Sequence, residues 1–180
     1  MNLRELGYVS NLLSLTRVAL LLPVFWLLKS GTTQGGYLAV GVMLLMAGTD
    51  FLDGALARKL NQRTDLGRVL DPLADKICVG VIGFLLISLR DLPLWYVLFL
   101  VARDLAILAL GSYLVYRTKK MVESNWPGKV AVTGVAVVMI VFALNLEPVK
   151  WPFLWISVAL VGVSSVSYLV KFINVIREAE

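Results

Sequence analysis

The chain has 180 residues, of which 59% are hydrophobic and 16% are charged, and its mean hydropathy is +0.83. A water-soluble domain carries about 25% charged and 45–50% apolar residues, so this composition excludes a soluble domain, and it excludes a disordered chain as well. The apolar runs are continuous rather than alternating, which excludes a membrane barrel. An all-α integral membrane protein remains, and its net charge of +5 favours anionic lipid rather than nucleic acid as a partner.

Apolar runs follow one another along the chain, and each approaches the roughly 20 residues that a spanning helix needs. They predict six transmembrane helices in a single domain, with a proline at the start of three of them. Ahead of the first run, residues 1–10 predict a short amphipathic helix that lies at the membrane interface. The spans are predicted at about residues 11–28, 36–58, 72–89, 93–116, 128–146 and 152–175, within a domain of residues 1–180.

The basic residues of the loops and tails are distributed unequally between the two sides of this arrangement. If both termini lie on one side, that side carries eleven Lys and Arg residues and the other side carries three. Basic loops remain in the cytoplasm. The chain is therefore predicted to be a multi-pass protein of the cell (inner) membrane with both termini cytoplasmic.

Two features of the composition limit the chemistry. There is no histidine, so imidazole bases and the usual zinc sites are excluded. The single cysteine, Cys78, lies in an apolar run and is predicted to be a packed, inert thiol. Acid–base or metal chemistry must therefore use Asp, Glu, Lys, Arg or Tyr.

Four aspartates lie where an apolar bundle does not favour them. Asp50 and Asp53 share a helix face at the end of the second span, and Asp71 and Asp75 share one at the start of the third. Because a short basic loop joins these spans, the four carboxylates are predicted to lie at one depth near the cytoplasmic surface. Two divalent cations would balance their charge, and oxygen ligands favour Mg²⁺ or Mn²⁺. Such a pair of ions suits displacement at phosphorus.

The spacing of these residues carries a resemblance. The sequence reads Asp50-x-x-Asp53-Gly54-x-x-Ala57-Arg58, then eight residues, then Gly67-x-x-x-Asp71-x-x-x-Asp75. This resembles the full signature of the CDP-alcohol phosphotransferase (phosphatidyltransferase) family. Residues 10–17 look like the opening of the family's first helix, and six spans after an interfacial helix match its architecture.

The resemblance implies roles for particular residues. Asp50, Asp53 and Asp71 would hold one metal ion, and Asp50, Asp71 and Asp75 would share a second. Asp75 would be the general base that takes the proton of the acceptor hydroxyl. The family also implies a homodimer and CDP-diacylglycerol as the phosphatidyl donor. Residues expected to bind the CDP moiety are Gly54, Ala57, Arg58, Gly67, Asn11, Arg17 and Thr49; for Thr49, a hydroxyl that packs within its helix is equally expected.

A second group of basic residues is expected to bind the acceptor: Arg103, Arg117 and Lys129. Arg103 lies in an apolar run and should face the bundle or pair with Asp104. Arg103 and Lys129 match positions that bind the acceptor's phosphate in relatives that make phosphatidylglycerol phosphate, which favours glycerol 3-phosphate. Those relatives tend to have Ala-Arg-Glu where this chain has Ala102-Arg103-Asp104, a departure that favours the cardiolipin synthases, which use phosphatidylglycerol. Inositol phosphate or serine acceptors, a divalent-cation channel or carrier, and a lipid-binding scaffold remain as alternatives.

Overall fold

The structure is a computed structural model that describes residues 15–59, 65–118 and 126–177. Within these ranges the chain is helical, as predicted, because a bilayer offers no water to backbone groups and a helix pairs them internally. The predicted interfacial helix over residues 1–10 lies outside the described residues. The helices are α1 (Leu21–Lys29), α2 (Thr33–Lys59), α3 (Asp65–Arg90), α4 (Leu94–Thr118), α5 (Trp126–Ala143) and α6 (Glu147–Arg177).

Three helices among the described residues are long and apolar enough to cross a membrane, namely Leu94–Leu114, Trp126–Ala143 and Glu147–Arg177. They correspond to the fourth, fifth and sixth predicted spans. Large apolar side chains cover their surfaces; Leu105 of α4, for example, is 59% exposed. Exposed apolar surface on this scale is unfavourable in water and suits contact with lipid.

Two predicted helix starts are wrong. The third span was expected from Pro72 and the sixth from Pro152, but α3 begins at Asp65 and α6 begins at Glu147. A proline inside a helix removes one hydrogen bond and need not end the helix. The start of α6 is fixed upstream of Pro152, where the backbone N–H groups of Val149 and Lys150 donate to the Leu146 carbonyl, each at 3.1 Å.

The first predicted span is helical over its described part but is interrupted at Leu20, where residues 15–19 meet α1 through a single turn residue. Pro23 explains the interruption, because it has no N–H to donate to the carbonyl four residues earlier. The helical path still continues, since Leu20 donates to the Thr16 carbonyl at 2.9 Å and Val24 donates to the Leu20 carbonyl at 3.3 Å.

A tight turn joins α1 to α2. Gly31 has a φ of +67°, a conformation in which glycine commonly ends helices. The Thr32 hydroxyl then accepts a hydrogen bond from the Gly35 N–H at 3.0 Å and so caps the start of α2. A Cβ on Gly35 would lie 2.2 Å from the Ser30 Oγ and 2.5 Å from the Leu27 carbonyl oxygen. Only glycine fits there.

The described chain divides into two compact units, and the first comprises Met1–Asp91 with Ala143–Asn145. In this unit α1 packs against both α2 and α3. A Cβ on Gly36 would lie 3.0 Å from the Ala143 carbonyl oxygen, so glycine permits close approach of the two backbones. The buried apolar side chains that the structure describes in α1 and α3 are Leu21, Val24, Leu28, Ala74, Cys78, Ile82, Leu85 and Leu86.

The second unit comprises Leu92–Phe142 with Leu146–Glu180, and in it α4 packs against α6. The buried positions of α6 are Lys150, Leu154, Ser157, Val161 and Ser164. Their alternating steps of four and three form the seam of a helix pair. Tyr96 and Ser157 hydrogen-bond through their hydroxyls at 2.8 Å, and the Arg103 guanidinium donates to Ser164 at 3.0 Å. Because both partners advance by one heptad between these links, α4 and α6 run parallel.

Candidate active site

The four predicted metal ligands lie on two helices of the first unit. Asp50 and Asp53 belong to the C-terminal half of α2, and Asp71 and Asp75 are one turn apart on α3. The side chains at positions 50–73 are outside the described part of the structure. The convergence of all four carboxylates therefore stays a prediction.

Asp75 is the motif aspartate with a described side chain, and its carboxylate accepts a hydrogen bond in an ion pair with Arg17. The Arg17 side chain is 3% exposed and that of Asp75 is 43% exposed. Removing a guanidinium from water is costly unless an opposite charge pairs with it. Arg17 is thus paired with a carboxylate whose side chain is itself partly exposed.

The accessible carboxylate of Asp75 suits a hard cation such as Mg²⁺ or Mn²⁺, which binds oxygen ligands. Within residues 15–49, 74–114 and 126–177, whose side chains are described apart from a few positions, no group of three or more acidic or thiol side chains could hold a metal ion. The donor chemistry of Asp75 therefore fits a divalent ion, and the other predicted ligands have side chains outside the described part.

One of the residues expected to bind CDP has a different setting from the predicted one. Gly67 was expected in a loop that passes close to the nucleotide, but its backbone lies in the first turn of α3, which begins at Asp65. The helix starts earlier than Pro72, so the connection after α2 is shorter than predicted. Gly67 is therefore a helix residue rather than a loop residue, and its contact with the nucleotide stays a prediction.

The other residues expected to bind CDP stay predictions. The Thr49 hydroxyl donates to the Met46 carbonyl at 2.8 Å, which matches the helix-packing interpretation and still leaves its oxygen able to accept. Asn11 lies outside the described residues. Gly54, Ala57 and Arg58 belong to α2, and their side chains are outside the described part.

Arg103, expected to bind the acceptor, lies in the second unit with three partners. Its Nη1 donates to the Asp104 carboxylate at 2.8 Å, its Nη2 donates to the Ser164 hydroxyl at 3.0 Å, and its guanidinium carbon is 5.8 Å from the centre of the Tyr168 ring. Its side chain is 16% exposed. The predicted pairing with Asp104 is confirmed, and Arg103 is anchored between α4 and α6.

The other two basic residues of the predicted acceptor site are exposed and lie on aromatic rings of the second unit. The Lys129 ammonium lies 5.6 Å from the centre of the Trp126 ring in the first turn of α5, and the Arg117 guanidinium lies 6.0 Å from that of Tyr113 in the last turns of α4. Such cation–π contacts orient a charge without neutralising it. The role of both groups in binding the acceptor stays a prediction.

Sequence reasoning missed Ser164 and Tyr168 as partners of Arg103. Their signal was present in α6, because Ser164 continues the buried stripe through Ser157 and Val161, and Tyr168 follows one turn later. The predicted packed state of Cys78 is confirmed, since it is a buried free thiol.

Comparison with known proteins gives consistent matches. The profile of the CDP-alcohol phosphatidyltransferase family matches residues 7–163. A Bacillus subtilis protein named CDP-diacylglycerol–glycerol-3-phosphate 3-phosphatidyltransferase is 30% identical over 181 residues, covering 89% of this chain and 93% of that protein. The Aquifex aeolicus protein of the same name is 40% identical over 114 residues, covering 61% of each. The human cardiolipin synthase (CMP-forming) is 38% identical over 114 residues, covering 61% of this chain and 36% of that protein.

Proposed function

The chain belongs to the CDP-alcohol phosphatidyltransferase family, and from this premise we propose that it transfers the phosphatidyl group of CDP-diacylglycerol to an alcohol and releases CMP. We propose glycerol 3-phosphate as the acceptor. The Bacillus protein named for that acceptor aligns over 93% of its length, whereas the alignment with human cardiolipin synthase covers 36% of that protein.

The observation that carries this proposal is the complete motif from Asp50 to Asp75, which lies on two consecutive helices of the chain. Asp75, its last residue, is accessible and in contact with a buried guanidinium. A carboxylate held in this way is available both to a divalent cation and to a proton.

The metal assignment follows the motif. Asp50, Asp53 and Asp71 would hold one ion, and Asp50, Asp71 and Asp75 would share a second, with Mg²⁺ or Mn²⁺ at both positions. Bound there, the ions would offset the charge of the diphosphate. Gly54, Ala57 and Gly67 supply no bulky side chains that would obstruct a cytidine, and Arg58 adds a cation for the diphosphate. Asn11, Arg17 and Thr49 complete the proposed CDP site.

The proposed reaction is a single displacement. Asp75 takes the proton of the acceptor hydroxyl while the hydroxyl oxygen forms a bond to the β-phosphorus of CDP-diacylglycerol. The bond from that phosphorus to the oxygen of CMP breaks, and CMP leaves with the electron pair. Arg17 holds the Asp75 carboxylate in place throughout, and no covalent enzyme intermediate is needed.

The acceptor is proposed to bind through Arg103, Lys129 and Arg117. A phosphate monoester needs charged N–H donors, and these three side chains retain N–H groups beyond those used in their described contacts. This requirement favours glycerol 3-phosphate over an uncharged alcohol.

Cardiolipin synthesis, with phosphatidylglycerol as acceptor, is the second candidate. The Streptomyces coelicolor cardiolipin synthase (CMP-forming) is 35% identical over 129 residues, and Asp104 replaces the glutamate expected of phosphatidylglycerophosphate synthases. A divalent-cation channel or carrier is a weaker candidate, because it leaves Gly54, Ala57 and Arg58 without a role.

The test supplies the purified protein with CDP-diacylglycerol and, separately, glycerol 3-phosphate, phosphatidylglycerol, inositol phosphate or serine, and measures CMP. We expect release with glycerol 3-phosphate, its loss in EDTA, and recovery with Mg²⁺ or Mn²⁺. Consumption of phosphatidylglycerol alone would establish the second candidate. No CMP with any acceptor, in the presence of either ion, would contradict the transferase assignment.

The proposed setting is the inner membrane of the cell, with six spans, an interfacial helix over residues 1–10 and both termini cytoplasmic. The excess of basic residues on the predicted cytoplasmic side supports this orientation. We also propose a homodimer, as in the family, with CDP-diacylglycerol entering sideways from the inner leaflet.

A further inference from the structure

The hydroxyl groups on the described helices differ in what they bind. Several hydrogen-bond to a carbonyl of their own helix, which is the common arrangement for serine and threonine in helix interiors. Ser165 is one of these, since its hydroxyl donates to the Val161 carbonyl at 2.8 Å. Ser164, its neighbour, instead accepts from Arg103 of α4 at 3.0 Å and is 0% exposed. Ser88 and Thr133 bond within their own helices as Ser165 does.

The residues around Arg103 orient its guanidinium, but they do not provide acceptors for all of its N–H groups. Its Nε is buried and has no hydrogen-bond partner among the described residues, although an unpaired buried N–H is unfavourable. Contacts to Asp104, Ser164 and the Tyr168 ring therefore decide which way the group points. Each Nη carries two N–H groups, so one on each remains available after these bonds.

We propose that Ser164 and Tyr168 are positioning residues for Arg103, and that they direct its remaining N–H groups to the anionic group of the acceptor. This inference rests on the proposed function. Asp104 is adjacent to Arg103 in the chain and can hold it only relative to α4. Ser164 and Tyr168, one turn apart on α6, add the link that holds the guanidinium relative to a second helix.

The helix pair contains a matched control for this proposal. Ser157 is buried in the same seam of α6 and hydrogen-bonds across to Tyr96 of α4 at 2.8 Å. Ser157→Ala therefore removes a hydroxyl that links the same two helices but contacts no charged group. Ser165→Ala removes a hydroxyl bonded only within its own helix. Together these variants separate loss of helix packing from loss of the Arg103 contact.

The experiment compares the full-length variants in lipid nanodiscs and measures CMP release against the concentration of each substrate. We expect Ser164→Ala to raise the KM for glycerol 3-phosphate about tenfold, since a hydrogen bond to a charged group is lost, with less than about a twofold change for CDP-diacylglycerol. Ser164→Thr should keep the acceptor KM of the wild-type protein. Tyr168→Phe should retain it, and Tyr168→Leu should raise it about fivefold because the ring contact is lost.

Ser157→Ala and Ser165→Ala should leave the acceptor KM unchanged. Thermal unfolding of each variant checks that the protein is folded. An unchanged acceptor KM in Ser164→Ala, or an equal rise in Ser157→Ala, overturns the positioning role and leaves the transferase intact. If the wild-type protein uses phosphatidylglycerol instead, the same comparison is made with that acceptor. Wild-type protein that releases no CMP with any acceptor overturns both proposals.

Discussion

Asp75 has a cation as its neighbour before any substrate binds, because the buried Arg17 guanidinium donates to its carboxylate. A bidentate or monodentate arginine contact fixes the orientation of a carboxylate more firmly than solvent does. A proton acceptor must be placed within hydrogen-bond reach of its substrate. Arg17, which lies four residues before α1, thereby contributes to the placement of the proposed base on α3.

Replacement of Asp75 tests the base directly. Asp75→Asn should lower kcat at least about 100-fold, because the amide cannot take the acceptor's proton at neutral pH. The measurement is CMP release at saturating CDP-diacylglycerol and acceptor. Asp91→Asn is the control, since Asp91 is exposed and its positive φ of 60° is one that asparagine also accepts. Wild-type turnover in Asp75→Asn would rule out the base assignment.

The ion pair itself can be measured through a double-mutant cycle. Arg17→Gln should lower the free energy of unfolding by about 2 kcal/mol, less than the 3–5 kcal/mol for a fully buried pair, because the Asp75 side chain is 43% exposed. Thermal unfolding in detergent provides the measurement. The double variant Arg17→Gln with Asp75→Asn should lose less than the sum of the single losses. Strictly additive losses would show that the two side chains do not interact.

Some contacts of individual residues could be predicted from the sequence, and others could not. The pairing of Arg103 with Asp104 was predictable, because a guanidinium in an apolar run needs a counter-charge and the nearest one is adjacent. The Ser164 contact was not, since sequence alone does not set the register of α4 against α6. The ion pair of Arg17 with Asp75 was missed because sequence alone also does not set how the residues before α1 pack against α3.

At the scale of the helices, prolines at two positions have different effects on helix boundaries. Pro23 interrupts the helical path before α1, whereas Pro152 lies inside α6 without ending it. The missing N–H of a proline is the same in both cases, so the outcome depends on which neighbouring groups can replace the lost bond. The existence of each described helix was predictable, and the starts of α3 and α6 were not.

Gly35 provides a prediction at this scale. Gly35→Ala should lower the free energy of unfolding by about 2 kcal/mol, because its Cβ would lie 2.5 Å from the Leu27 carbonyl oxygen, and backbone cannot easily move aside. Gly41→Ala is the matched control on the same helix, where a Cβ meets nothing within 4 Å and alanine favours the helix. The midpoint of thermal unfolding should fall for the first and hold or rise for the second. A fall of equal size in both would contradict this account.

At the scale of the whole molecule, exposed apolar side chains and an unequal distribution of basic residues define the setting. Leu98 and Leu108 of α4 are 57% and 58% exposed, which is favourable only against lipid tails or another apolar surface. Eleven loop and tail cations on one predicted side and three on the other predict the orientation. Composition alone therefore predicted the membrane class.

Orientation is testable with single cysteines on a Cys78→Ala background. Ser30 lies between α1 and α2, and Arg177 is the last residue of α6; both positions are exposed. Each is replaced by cysteine in a separate variant. A membrane-impermeant maleimide should label Ser30→Cys in intact cells and Arg177→Cys only after permeabilisation, because both termini are proposed to be cytoplasmic. The reverse pattern would invert the proposed topology.

Two polar contacts between α4 and α6, Tyr96 with Ser157 and Arg103 with Ser164, affect how these helices align after they insert into the membrane. Apolar seams alone tolerate rotation or sliding, because one leucine replaces another with little change in energy. Here a misaligned pair would separate the Arg103 guanidinium from the Ser164 hydroxyl and the Tyr96 hydroxyl from that of Ser157, and unpaired polar groups are unfavourable in the membrane. The contacts that orient Arg103 therefore also favour one alignment of α4 with α6 over the others, because a helix docked in another alignment would leave these polar groups without their partners.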